Sequence, residues 1–98
     1  MKILIHAPFE VNSTLKALIE KKVTKLTTFY DRIIKADVFL KLDDPKAPDG
    51  KVVEMSMHLP GKDAFAKETS DTFEKAIAAT VSKLERQLKK RKEKQNSI

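Results

Sequence analysis

The chain is predicted to fold as an α+β domain in the order β-α-β-β-β-α, a four-stranded antiparallel-rich sheet with two helices packed on one face. Three observations predict it: apolar residues recur at helical spacing near each end, they alternate with polar residues in the middle, and turn-forming residues separate the alternating stretches. Consecutive strands flanked by helices, rather than strict strand-helix alternation, give a largely antiparallel sheet. Each strand offers one apolar face and each helix one apolar stripe, so both helices cover the same side.

Lys2 to His6 is short, apolar and partly β-branched, a first strand that Pro8 ends. From Asn12 the period changes. Leu15, Leu18, Ile19, Val23, Leu26, Phe29 and Tyr30 recur at three- and four-residue steps, a helix from about 12 to 30 with Asn12 as its N-cap. Ile34, Ala36, Val38, Leu40 and Leu42 then alternate with Lys35, Asp37, Phe39 and Lys41, the clearest strand in the chain. Asp43 to Gly50 is rich in Pro and Asp and reads as a loop. Val53, Met55, Met57 and Leu59 form a second alternating set, Pro60-Gly61 breaks it, and Ala64 to Thr69 returns as a short strand. From about Ser70 the helical period resumes through Phe73, Ala76, Ile77, Thr80, Val81, Leu84 and Leu88. Outward residues such as Phe39 and His58 are expected to face water or a partner.

With 98 residues there is room for one core, here assigned to residues 1–94 with a short tail at 95–98. The absence of cysteine excludes disulfides, thiolate catalysis and cysteine-ligated metal centres. The apolar run at the N-terminus is too short for a signal-peptide core, and nothing approaches the roughly 18 to 20 apolar residues of a membrane span. A cytoplasmic location is expected.

Charge is the more informative quantity. The net charge is +6, from 20 Lys and Arg against 14 Asp and Glu. Ser82 to Ile98 holds seven of the bases and two of the acids, so +5 of the excess sits at one end. That asymmetry fits a binder of nucleic acid or another acidic surface. On the second helix Lys83, Arg86, Lys90 and Lys94 succeed one another at steps of three or four, a basic stripe beside the apolar one. Lys89, Arg91 and Lys92 make the helix basic almost all round past Leu88. Their mutual repulsion is of the kind a polyanion relieves. The first helix adds Lys21, Lys22 and Lys25, with Lys22 inside the apolar stripe, its stem buried and its ammonium reaching outward. Two helices side by side on a sheet are expected to pool these clusters into one basic face.

Little supports catalysis. His6 and His58 lie on different strands with no acidic cluster spaced to complete a metal site, and both glycines, Gly50 and Gly61, lie in turns rather than in a phosphate loop. No catalytic residue, metal ligand or cofactor is assigned. Phe29 and Phe73 belong to apolar stripes and read as core. No aromatic-rich pair of strand motifs is present, so phosphate and shape contacts are favoured over base readout.

Lys83-Leu84-Glu85-Arg86-Gln87-Leu88 followed by Lys89-Lys90-Arg91-Lys92-Glu93-Lys94 resembles the second-helix signature of the ribosome hibernation-promoting factor and ribosome-associated translation inhibitor family. Glu10-Val11 before Asn12, then Leu15, Lys22, Lys25-Leu26 and Phe29-Tyr30-Asp31-Arg32-Ile33, resembles its first helix and the turn beyond. The resemblance spans essentially the whole chain and is to the short form, without a second domain. One departure is Asp71-Thr72-Phe73, where many members carry Asp-Met-Tyr.

The resemblance implies a noncatalytic protein that binds 16S rRNA of the small ribosomal subunit, in the channel of messenger RNA and transfer RNA, and silences idle ribosomes under stress or in stationary phase. It implies a monomer off the ribosome, no membrane association, and RNA contacts from Lys22, Lys25, Lys83, Arg86, Lys89, Lys90, Arg91 and Lys94, with Lys92 a further candidate. Two other readings remain open on the residues alone. A double-stranded-RNA-binding-like module shares the layered arrangement but places its bases at the start of the last helix, where this chain has Asp71 and Glu74. A regulatory protein binding acidic protein partners would keep its association after RNA digestion.

Overall fold

In the computed structural model, residues 1–42 and 50–96 are described, with side chains as far as Lys94. The elements are β1 (Lys2–His6), α1 (Ser13–Lys25), β2 (Lys35–Lys41), β3 (Lys51–His58), β4 (Ala64–Ser70) and α2 (Phe73–Asn96). They form the predicted β-α-β-β-β-α order and one four-stranded sheet, β1-β2-β3-β4. The sheet is mixed. β1 runs parallel to β2, a pairing that needs a crossover, which α1 supplies; β2, β3 and β4 form the antiparallel meander. The loop predicted at Asp43–Gly50 lies outside the described residues except for Gly50. Ser97 and Ile98 of the predicted tail also lie outside, and α2 itself continues to Asn96.

Register sorts the side chains onto two faces. Ile3 and Ile5 align with Ala36 and Val38, which align with Met57 and Met55, and these with Ala64 and Ala66. Against this face pack Leu15, Ile19 and Val23 of α1 and Ala76, Ile77, Val81, Leu84 and Leu88 of α2, all in one core. Ile19, Val23, Val38, Met55, Ile77, Leu84 and Leu88 are fully buried. Burying a side chain of this size contributes roughly 1.5–3 kcal/mol. The core thus clamps both helices to the same side of the sheet.

The first helix stops sooner than its apolar spacing predicts. Asn12 caps it as expected, its Oδ1 accepting from the Leu15 N–H at 2.8 Å. After Lys25 the chain tightens into a 3₁₀ turn, Leu26–Thr28. The hydroxyls of Thr27 and Thr28 donate to the carbonyls of Thr24 and Lys25 at 2.7 and 2.8 Å, the local competition by which threonine weakens a helix end. Leu26 and Tyr30 nevertheless stay buried, which is why the apolar period runs past the helix. The alternation of the second strand also overruns its paired length: Ile34 and Leu42, expected inside, are 61% and 39% exposed because they flank the register that ends at Lys35 and Lys41. α2 begins where Thr72 accepts the Lys75 N–H on its hydroxyl at 3.2 Å.

Candidate nucleic-acid interface

The helical layer carries the bases, and packing decides which of them meet. On α1, Lys16 and Glu20 border Ile3 and Ile5 and therefore face the β1 edge of the sheet. Leu18, Lys22 and Lys25 lie on the opposite flank, at about 100° per residue, towards α2. Lys22 is half-buried, consistent with a stem in the apolar stripe, and Lys25 is exposed. Just after α1, Phe29 meets α2: Lys89 Nζ lies 4.7 Å from its ring centroid. Thr28, Phe29, Lys89, Lys92 and Glu93 line a shallow depression there. Lys89 and Lys92 thus border the groove between the helices, and the helical step puts Lys22 and Lys25 on the flank of α1 that faces it.

Lys83 is on the other side of α2. Its Nζ lies 2.6 Å from Glu68 Oε1 on β4, and one helical turn on, Gln87 Nε2 donates to the Phe65 carbonyl at 2.8 Å. The expectation of a single face holding both Lys22 and Lys83 is therefore corrected. The bases run from the interhelical groove over the crest of α2, where Arg86 and Lys90 are exposed, and down its far flank. The cause is helical geometry: each step of three, from Lys83 to Arg86 and from Arg86 to Lys89, advances about 300° and so spreads the charges around the rod.

Among the described residues, Lys22, Lys25, Arg86, Lys90, Arg91, Lys92 and Lys94 have no ion pair. Lys89 has a longer one to Glu85, at 3.5 Å. Most of the charge past Leu88 is thus left for solvent or a ligand. Leu88 is fully buried and ends the apolar stripe, and the helix beyond it is charged on nearly every side.

Sequence reasoning missed three features. The apolar spacing assigns Phe29 to the core, yet it is half-buried and its ring also holds a lysine. Nothing in the sequence connects Glu68 to Lys83, because strand register decides that it points to the helices. The third is on the open sheet face, where His6 and His58, on different strands, converge on Asp37. His6 Nε2 lies 3.0 Å from Asp37 Oδ1, and His58 Nε2 lies 2.7 Å from Oδ2. His58 Nδ1 is 3.1 Å from Asp63 Oδ2, and His6 stacks on Phe39 with centroids 4.6 Å apart. The bonds from His6 and then His58, aided by Lys35, hold the Asp37 carboxyl below its ordinary range against the opposing effect of burial. The period-two alternation places Asp37 and His58 outward but carries no register. No group of three or more His, Cys, Asp or Glu among the described residues is arranged to hold a metal ion, and no helix of the described residues is long and apolar enough to cross a membrane.

The profile of the family described as "Sigma 54 modulation protein / S30EA ribosomal protein" matches residues 5–96. The ribosome hibernation promoting factor of Pseudomonas putida is 32% identical over 89 residues, covering 91% of this chain and 83% of the relative. The protein of the same name from Azotobacter vinelandii is 30% identical over 86 residues, covering 88% and 77%. Among solved structures, a ribosomal subunit interface protein from Coxiella burnetii superposes with a TM-score of 0.84 at 27% identity, over 94% of this chain and 98% of the other. The N-terminal domain of Thermus thermophilus Protein Y superposes with a TM-score of 0.77 at 27% identity, over 92% and 98%.

Proposed function

Because the chain belongs to the sigma 54 modulation protein / S30EA ribosomal protein family, we propose that it is a noncatalytic ribosome hibernation factor that binds the small subunit through 16S rRNA. It acts in the cytoplasm by occupying the channel of messenger RNA and transfer RNA, so that an idle ribosome is silenced by exclusion. The observation that carries this reading is the run of bases along the interhelical groove and the crest of α2, all but Lys89 without an ion pair among the described residues, on a helix that leaves the core at Leu88.

Phosphates supply what these bases lack. Lys22, Lys25, Lys89 and Lys92 line a groove that a backbone strand can follow, and Arg86, Lys90, Arg91 and Lys94 continue it over α2. Lysine and arginine on phosphates position a protein without reading sequence, which suits a structured RNA of fixed shape. Lys83 joins this set more weakly, since Glu68 already balances its charge.

Sedimentation of purified ribosomes with and without the protein, resolving 30S, 70S and paired particles, tests the reading. Co-migration with 30S is expected, with binding that weakens steeply between about 50 and 200 mM salt through counterion release. Replacing Arg86 and Lys90 together with Gln should weaken it by roughly tenfold for each charge removed, while stability stays within about 0.5 kcal/mol. A flat salt response would point to an apolar interface, and co-migration that survives RNA digestion would point to a protein partner.

A further inference from the structure

We propose that the flank of α2 turned away from α1 forms, with the β3–β4 turn, a notch that holds a backbone phosphate of RNA. This rests on the ribosome-binding reading above and adds to it a residue outside both helices, Lys62. The notch has a volume of about 370 Å³ and is lined by Lys62, Asp63, Gln87, Lys90, Arg91 and Lys94. That is room for a phosphate group with several waters, each of which takes about 30 Å³ in the liquid.

Its charge is unbalanced. Lys62, Lys90, Arg91 and Lys94 have no ion pair among the described residues, whereas Lys35, Lys41, Lys67, Lys75, Lys83 and Lys89 each meet an acid. Among the described residues Asp63 is the one acid lining the notch, and both of its oxygens are already engaged: Oδ1 accepts from the Leu59 N–H at 3.3 Å, and Oδ2 meets His58 Nδ1 at 3.1 Å.

Arg91 gives an independent sign. Its Nη1 is shielded from water and has no acceptor among the described residues. Leaving such a donor unpaired carries a desolvation penalty, and native structures seldom tolerate one without a reason. Arg91 lines the notch with Lys62, Lys90 and Lys94, and a guanidinium among ammonium groups is a combination suited to phosphate, whose several oxygens can accept from all of them.

The walls of the notch are set by the fold. Gln87 ties α2 to the Phe65 carbonyl at 2.8 Å. The turn that presents Lys62 depends on Pro60-Gly61, with Gly61 at φ +87°, the left-handed conformation that the third residue of such a turn requires. Lys90 belongs both to the notch and to the crest of α2, so a strand crossing the crest reaches the notch without a break.

The test is Lys62→Gln, assayed by 30S sedimentation across about 50 to 200 mM salt. Removing one phosphate partner lowers the salt slope by about one, so the fall in affinity over that range should become about threefold smaller than for the wild type. Wild-type affinity and slope in Lys62→Gln, with Arg86→Gln still weakened, would overturn the notch and leave the ribosome reading standing. If wild-type protein fails to sediment with 30S, the ribosome reading falls instead. Titration with inorganic phosphate, followed by backbone amide shifts, then decides the notch separately. Saturable shifts at Lys62 and Ala64 that vanish in Lys62→Gln support an anion site, and their absence in the wild type ends it.

Discussion

The ammonium of Lys89 lies 4.7 Å from the ring centroid of Phe29, so the charged half of α2 is tied to the segment that follows α1. Phe29 is half-buried against the core, and the Glu85 carboxylate approaches the same ammonium at 3.5 Å. Ring and carboxylate together hold a cation at the mouth of the interhelical groove, which under the proposed function lowers the entropy cost of engaging RNA there.

At a site this open the ring's attraction should be worth about 0.5–1 kcal/mol. A double-mutant cycle with Phe29→Leu and Lys89→Gln, read by urea denaturation, should return a coupling of that size, because leucine keeps the apolar packing and removes the ring face. A coupling indistinguishable from zero would reduce the interaction to simple proximity.

The ion pair of Lys83 with Glu68 makes the opposite kind of prediction. At 2.6 Å the carboxylate neutralises a base on the far flank of α2, so that base contributes less to the field an RNA meets. Glu68→Gln should therefore tighten 30S binding and steepen its salt dependence, by up to about one phosphate contact. Lys83→Gln, for the same reason, should cost less affinity than Arg86→Gln. Weaker binding by Glu68→Gln would mean that the carboxylate orients Lys83 for RNA instead of competing with it.

The fold was legible because its periods are clean. Ala36, Val38 and Leu40 alternate with charged or outward residues, Leu15, Ile19 and Val23 keep a helical step, and Pro60-Gly61 marks the one hairpin turn that lies wholly within the described residues. Where a period outlasts its element, as at Ile34, Leu42 and Tyr30, side-chain spacing says nothing about where the backbone stops pairing. The candidate interface was legible only as a set of bases. Which of them meet depends on how α1 and α2 rotate against the sheet. That rotation places Lys22 and Lys25 towards α2 and Lys83 towards β4, and Lys62, which follows the alternation that ends at Leu59, lies beside Arg91. The meeting of His6 and His58 at Asp37 was hidden for a related reason, since it joins three strands whose register has no local signature.

Asp37 supplies a stability switch whose direction follows from its partners. Its oxygens meet His6 at 3.0 Å and His58 at 2.7 Å, with Lys35 at 3.9 Å, and these hold the carboxyl below the ordinary value of 3.8. The folded state therefore favours the ionised carboxylate. A carboxyl with a lowered folded-state pKa stabilises the protein above the unfolded-state value, and that contribution is lost as pH falls through the folded-state value. Asp37→Asn should accordingly be less stable than the wild type at neutral pH, because β1, β2 and β3 are then deprived of the charge they share. The two proteins should converge as pH is lowered past 3.8, where the wild-type carboxylate takes up its proton. Urea unfolding of both across that range measures the gap directly. A gap that stays constant into strong acid would assign the loss to packing of the asparagine, and the carboxylate's charge would then have no part in holding the three strands together.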